Sequence, residues 1–191
     1  MTDDVQVAAG AAVCAEATLQ GVVRIGQRCV VHPAGEIRAR AAPVTLGDRN
    51  VLEDRAVLES AAGEPMTVGS DNLFESGCVV RARVVGSGNW FEPKAQALEG
   101  SEIGDNCLIG SGVVVAAGER VPDNSVLVCV QDARGRLTRI VRPQKDFLLR
   151  AREALVHKYL DAFLDGSKSA VALEKHHRLL PVVSASRSDH P

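Results

Sequence analysis

VGSGNWFEPKAQALEGSEIGDNCLIGSGVVVAAGERVPDNSVL, residues 85–127, places an apolar side chain at every sixth position: Val85, Phe91, Ala97, Ile103, Ile109, Val115, Val121 and Leu127. Towards the N-terminus the series continues at Val68, Phe74 and Val80, then at Leu46, Leu52 and Leu58, then at Val7, Val13, Leu19, Ile25, Val31 and Ile37. The breaks are insertions of three and four residues and one single-residue deletion, and the phase recovers after each. A period of six fits neither the 3.6 of a helix nor an ordinary hairpin. It is the signature of a β-helix.

Two further positions explain why. The residue two before each periodic position is mostly small, as at Ala11, Ala17, Cys29, Gly35, Ala56, Cys78, Ala95, Ser101, Cys107 and Ser125. Residues two apart on a strand point the same way, so each hexad offers one large and one small side chain to a common interior. The residue three after is often Gly or Asn, as at Gly10, Gly77, Gly88, Gly100, Asn106, Gly112, Gly118 and Asn124. Such residues tolerate the positive φ of a tight corner. One hexad therefore makes one short strand and one corner, and three make a triangular coil. The twenty hexads predict an all-β solenoid, a left-handed parallel β-helix of roughly seven coils, which departs from the usual right-handed crossover.

The chain has 191 residues, a net charge of −2 and 3% aromatic residues, as a narrow prism with little room for rings requires. The charge argues against a nucleic-acid footprint. No window approaches a membrane span, and the opening residues carry two early Asp and no apolar block, unlike a signal peptide. Five cysteines with no C-x-x-C pair read as reduced core filler of a cytosolic protein. The expected organisation is a β-helix over 1–130, a connecting turn over 131–143, a C-terminal helical segment over 144–180, and a polar, flexible tail over 181–191. Within the helical segment a main helix covers 144–164, and a shorter one covers Ala170 to Leu180.

Outward residues sit one before each periodic position, and every third hexad shares a face. One column is polar (Gln6, Arg24, Thr45, Thr67, Val84, Glu102, Arg120) and one is mixed (Thr18, Glu36, Val57, Val79, Gln96, Val114). The third is apolar throughout: Ala12, Val30, Val51, Leu73, Trp90, Leu108 and Val126. A stripe this long needs a cover. The segment from Gln144 to Leu164 has helical spacing at Phe147, Leu148, Ala151, Leu155, Tyr159, Ala162 and Phe163. It would span about 31 Å as a helix, against about 34 Å for seven coils at strand spacing. The expectation is a helix that runs back along Val30, Val51, Leu73, Trp90, Leu108 and Val126, with Phe147, Leu148, Ala151, Leu155, Tyr159 and Phe163 as the covering residues.

Hexapeptide β-helices include acyltransferases and zinc carbonic anhydrases of the γ class. The zinc enzymes need three neutral imidazoles around one ion. Here only His32 lies in the coils, while His157, His176, His177 and His190 are all in the C-terminal appendage. His32 could serve as a general base; beside Pro33 at a coil corner it reads as an exposed residue. The insertions are too short to wall an acceptor site. The sequence therefore predicts no catalytic residue, no cofactor site and no metal site, with a hexapeptide acyltransferase or γ-carbonic-anhydrase-like enzyme as the alternative. A third pattern recurs at one-coil spacing: Gly47-x-x-Asn50-Val51-Leu52-Glu53, Gly69-x-x-Asn72-Leu73-Phe74-Glu75 and Gly86-x-x-Asn89-Trp90-Phe91-Glu92. The Asn residues can stack into an inward amide ladder. Glu53, Glu75 and Glu92 form an outward acidic column, a docking stripe for basic groups of the packed helix or of a partner.

These motifs, extended to Glu75-x-Gly77-Cys78 and Glu92-x-Lys94-Ala95 and closed by Arg142-Pro143-Gln144 and Asp146-Phe147-Leu148, resemble the dynactin subunit 6 family over about residues 5–165. The resemblance implies a non-catalytic, left-handed β-helical subunit with a C-terminal helix, in the cytoplasm and associated with the cytoskeleton. It implies a place in the pointed-end complex of dynactin, beside the β-helical subunit 5, subunit 4 and the pointed-end actin-related protein, with indirect links to dynein and cargo adaptors. Some relatives carry a proline-directed phosphosite in the tail, whereas the tail from Ser184 to Pro191 has no Ser-Pro or Thr-Pro step. The first hexads, Val5 to Leu19, have no preceding helix or arm, so their coil edge is the expected face for a second β-helix.

Overall fold

The computed structural model describes residues 3–60 and 63–164. In chain order the elements are β1 (Asp4–Val7), β2 (Ala12–Val13), β3 (Thr18–Ile25), β4 (Val30–Val31), β5 (Glu36–Leu46), β6 (Val51–Leu52) and β7 (Val57–Glu59). They continue with β8 (Met66–Val68), β9 (Leu73–Phe74), β10 (Val79–Val80), β11 (Val84–Val85), β12 (Trp90–Phe91), β13 (Gln96–Ala97) and β14 (Glu102–Ile103). The last are β15 (Leu108–Ile109), β16 (Val114–Val115), β17 (Arg120–Val121), β18 (Ser125–Gln131), β19 (Leu137–Pro143) and α1 (Asp146–Leu164). Strands one coil apart pair in parallel. On one face Val30 lies opposite Val51, Val51 opposite Leu73, Leu73 opposite Trp90, Trp90 opposite Leu108, and Leu108 opposite Val126. The chain is a left-handed parallel β-helix of about seven turns with one C-terminal helix.

Two faces merge into one 11-stranded sheet, because β3 and β5 run on through the corner between them; the third is an 8-stranded sheet from β2 to β19. The periodic residues fill the interior: Leu52, Phe74 and Ile109 are fully buried, and the Phe74 and Phe91 rings stack at 5.0 Å. The amide ladder runs inside one corner. Asn50 Nδ2 donates to the Gly47 and Gly69 carbonyls at 2.9 and 2.8 Å, and Asn72 Nδ2 to Asn50 Oδ1 and the Gly86 carbonyl at 2.9 and 3.0 Å. Asn50 Oδ1, Asn72 Oδ1 and Asn89 Oδ1 accept the backbone N–H groups of Asn72, Asn89 and Cys107, one coil on. The Gly47, Gly69 and Gly86 carbonyls and the backbone N–H groups of Asn72, Asn89 and Cys107 are thus paired without water, while Asn89 Nδ2, at the end of the ladder, makes no hydrogen bond among the described residues.

One expected boundary is different. The connecting turn over 131–143 is instead the second half of an antiparallel hairpin, in which β19 pairs with β18 from Ser125 opposite Pro143 to Gln131 opposite Leu137. Its loop is closed by Asp132, whose side chain accepts the N–H groups of Arg134 and Arg136, and by Gly135 at φ 79°. The helix starts at Asp146 rather than Gln144. The expectations for 165–180, including a helix from Ala170 to Leu180, and for the tail over 181–191 lie outside the described residues. No helix among the described residues is long and apolar enough to cross a membrane.

Candidate functional site

α1 is held against the 8-stranded face by contacts that descend the prism. Gln144, just before the helix, donates its N–H to the Asn124 carbonyl at 2.7 Å and its Nε2 to the Asn106 carbonyl at 3.0 Å. Further along, Arg152 Nη1 donates to the Asp71 carbonyl and Tyr159 Oη to Glu53. Tyr159 and Phe163 then reach His32. The helix therefore runs back toward the N-terminal coils. Val30, Val51 and Leu73 form a second apolar cluster with Val156 and Leu160, and Trp90, Leu155, Tyr159, Phe163 and Leu164 sit at its margin. Leu108 and Val126 are buried but lie outside that cluster.

The covering set differs from the sequence expectation. Phe147 is 60% exposed, Ala151 is exposed and Leu148 is half-buried, while Val156 and Leu160, absent from the expected set, are the most buried contacts. The cause is helical geometry. Residues four apart drift by about 40° per step, so the row Phe147, Ala151, Leu155, Tyr159, Phe163 turns through about 160° from end to end. It starts on the solvent side and reaches the sheet only from Leu155. The buried stripe is two adjacent rows over the second half of the helix, Arg152, Val156, Leu160 and Leu155, Tyr159, Phe163, the i, i+3, i+4, i+7 pattern.

His32 is not the exposed corner residue its neighbour Pro33 implies. It is 5% exposed, with its ring 5.3 Å from Tyr159 edge-on and 4.6 Å from Phe163, and Nδ1 3.5 Å from Asp54. The end of α1 covers it. Above it stand Glu53, Glu75 and Glu92. Glu53 takes the Tyr159 hydroxyl on one oxygen and the N–H and hydroxyl of Ser76 on the other, at 3.0 and 2.8 Å. Glu92 accepts the Ser111 N–H at 2.8 Å. Among the described residues no Lys or Arg forms an ion pair with the column. The helix contributes a neutral donor, Tyr159, in place of a cation. Burial, then the charge of Glu53 and more weakly that of Glu92, pushes the Glu75 carboxyl up to about 7. The Trp90 indole N–H is near enough to favour the charged form, yet it makes no well-aligned hydrogen bond. Tyr159 is likewise held above its ordinary value by burial and by Glu53.

Along its other flank α1 leaves a cleft of about 560 Å³, floored by the corner residues Arg49, Asp71, Gly88 and Asn106 and walled by Arg152 and Val156. Arg49 holds the Asp71 carboxylate with two bonds of 2.7 Å. Arg152, half-buried, reaches only the Asp71 carbonyl, and desolvation lowers its pKa.

Residues 84–117 match the family model described as bacterial transferase hexapeptide (six repeats). Dynactin subunit 6 of Danio rerio is 34% identical over 161 residues, covering 76% of this chain and 83% of its own. Dynactin subunit 6 of Caenorhabditis elegans is 32% identical over 175 residues, covering 90% and 94%. The chain belongs to the dynactin subunit 6 family. Among solved structures, a Bacillus cereus protein described as an acetyltransferase aligns with this family member at a TM-score of 0.72 with 20% identity, covering 83% of this chain and 89% of its own. A hexapeptide transferase family protein from Anaplasma phagocytophilum aligns at 0.71 with 13% identity, covering 82% and 89%. At these identities the likeness is one of fold. The dynactin subunit 6 family member shares its coil with transferases, and the identities along the sequence are with dynactin subunits.

Proposed function

We propose that this chain is a non-catalytic structural and adaptor subunit of the dynactin pointed-end complex, in the cytoplasm and associated with the cytoskeleton. In that role it stacks end to end on a second β-helical subunit, subunit 5, beside subunit 4 and the pointed-end actin-related protein, and so supports dynein-driven transport through cargo adaptors. The observation that carries this reading is the identity with dynactin subunit 6 over three quarters or more of the chain. Three features support it. His32 packs beneath α1 against Tyr159 and Phe163, a structural place for the one coil imidazole. Four interior residues of the first coil, Val7, Ala11, Ala17 and Leu19, are only partly buried, as an end awaiting another coil would be. Among the described residues no Lys or Arg pairs with the column Glu53, Glu75, Glu92, which suits basic groups of a partner.

The test is affinity purification of the tagged full chain from its own cells. The expected result is co-purification of the pointed-end subunits. Recovery of the chain without any dynactin subunit would overturn the reading. So would acyl-CoA turnover, or stoichiometric zinc binding, that depends on His32.

A further inference from the structure

At the end of the prism opposite the first coil, the chain builds a surface that end-to-end stacking on that coil does not use. β18 and β19 extend well beyond the two-residue strands beneath them, and their distal residues are exposed on both faces of the ribbon. β19 is the last strand of its sheet. Its outer row of N–H and C=O groups has no strand partner among the described residues, and such an edge is a template for another chain. A two-stranded ribbon with both faces in water is marginal by itself. The apolar side chains concentrate here too. Six large hydrophobic residues are exposed among the described residues, and five of them, Val114, Val130, Leu137, Val141 and Phe147, lie at this end. Leu137 is 72% exposed and Val141 57%. Cross-strand neighbours share a side. One side of the ribbon therefore carries Leu137 and Val141 with Arg139, and the other carries Val130, Val128 and Ile140 with Arg142.

Charge selects the occupant. Residues 131–143 hold four arginines, Arg134, Arg136, Arg139 and Arg142, against one acid, Asp132, on a chain whose net charge is −2. Arg136 pairs with Asp132, and Arg139 turns inward to Glu119 and the Val114 carbonyl. Arg134 and Arg142 make no ion pair among the described residues. A second copy of this chain would set one basic ribbon against another and be repelled. We propose that the β18–β19 ribbon is a docking surface for an extended, acidic segment of a different polypeptide. That segment adds a strand to the free edge of β19, sets carboxylates against Arg134 and Arg142, and covers Leu137 and Val141. Main-chain pairing supplies the attachment, and alternate side chains supply the selectivity.

The test places a photoreactive amino acid at exposed Thr138 of the full chain, in its own cells, and maps the crosslinked peptide. Hydrogen exchange of residues 137–143 is compared between the isolated chain and the purified assembly. The expected crosslink falls on an acidic segment of another chain, with the β19 amides protected in the assembly. The double change Arg134→Glu, Arg142→Glu should cut the crosslink by about tenfold or more, while Arg134→Lys, Arg142→Lys retains most of it and both variants melt like the parent. No crosslink, a crosslink to a second copy or to a basic or helical segment, equal amide exchange in both states, or indifference to charge reversal would each overturn the proposal. The crosslink reads out whatever assembly holds the chain, so its result is separate from the presence or absence of dynactin subunits.

Discussion

Corner residues show how far a coil can override the preference of a single residue. The third residue after each periodic position takes φ between 53° and 61° at Arg28, Ala34, Arg49, Arg55, Asp71 and Lys94, as it does at neighbouring glycines. The sequence marks the corners occupied by Gly or Asn. It cannot mark the others, because the left-handed cost of about 1–2 kcal/mol is overcome by the strands stacked on either side. Arg55 is exposed and makes no ion pair among the described residues. Arg55→Gly should therefore raise unfolding stability by about 0.5–1 kcal/mol, the relieved strain less the greater freedom of glycine in the unfolded chain; urea denaturation measures it. Glu75 is a residue whose environment, not type, sets its chemistry. Its carboxyl titrates near 7 in the fold against 4.5 in the free residue. Between those values the folded state holds the proton that the unfolded state has released, so this group's effect lowers stability as pH rises from about 4.5 to 7 and is constant above. Glu75→Gln removes the effect. It should change little at pH 4 and stabilise at pH 8 by on the order of 1–2 kcal/mol, allowing for the partial exposure of the group. A gain that is equal at both pH values would show that the ionisation of buried Glu75 is not its source. The recurrence of Glu at one-coil spacing revealed the column, but its burial beside Tyr159 and Trp90 depends on a helix whose rotation the sequence leaves open.

For α1 itself, the existence, direction and target of the helix were readable from its period and its length, but its rotation was not. Rows four apart that start at Phe147 and at Arg152 have the same spacing, so the spacing alone does not say which of them meets the sheet. Leu160 decides between them. It is 2% exposed and packs with Val30, Val51 and Leu73, so Leu160→Ala should cost about 2–4 kcal/mol, whereas Phe147→Ala at an exposed position should change stability little. Trp90, the one tryptophan, lies at the margin of this cluster and reports undocking as a red shift and quenching of its fluorescence. A Phe147→Ala loss larger than that of Leu160→Ala would restore the rotation expected from the sequence. The strand β19 went unread for a different reason. Leu137-Thr138-Arg139-Ile140-Val141 alternates only weakly, and its arginines mimic a polar turn. The usable signal was Asp132-Ala133-Arg134-Gly135 between two β-branched runs, a loop with Gly where a positive φ is needed.

At the scale of the whole molecule the two ends of the prism are unequal, and this gives the stacking proposal a direction. The last coil is closed: Val115, Val121 and Leu127 are fully or almost fully buried, the hairpin strand β19 continues one face, and Arg139 meets the edge carbonyl of Val114. The first coil is open: the partly buried members of the main core, Val7, Ala11, Ala17 and Leu19, all belong to it. β1, β2 and residues 18–20 of β3 have no strand on their outer side among the described residues. A coil end of this kind is completed by another coil of the same cross-section. Ala12 is 4% exposed and so is a poor place to test this. Thr18 and Gln20 are exposed on the open edge, so Thr18→Arg with Gln20→Arg should block stacking without unfolding the chain. The expected outcome is a melting temperature within about 4 °C of the parent, the shift of a change worth under about 1 kcal/mol in a domain of this size, together with loss of subunit 5 from the purified complex. Arg134→Glu with Arg142→Glu, at the far end, should leave subunit 5 in place. Retention of subunit 5 by the first pair and its loss with the second would put the stacking face at the hairpin end instead.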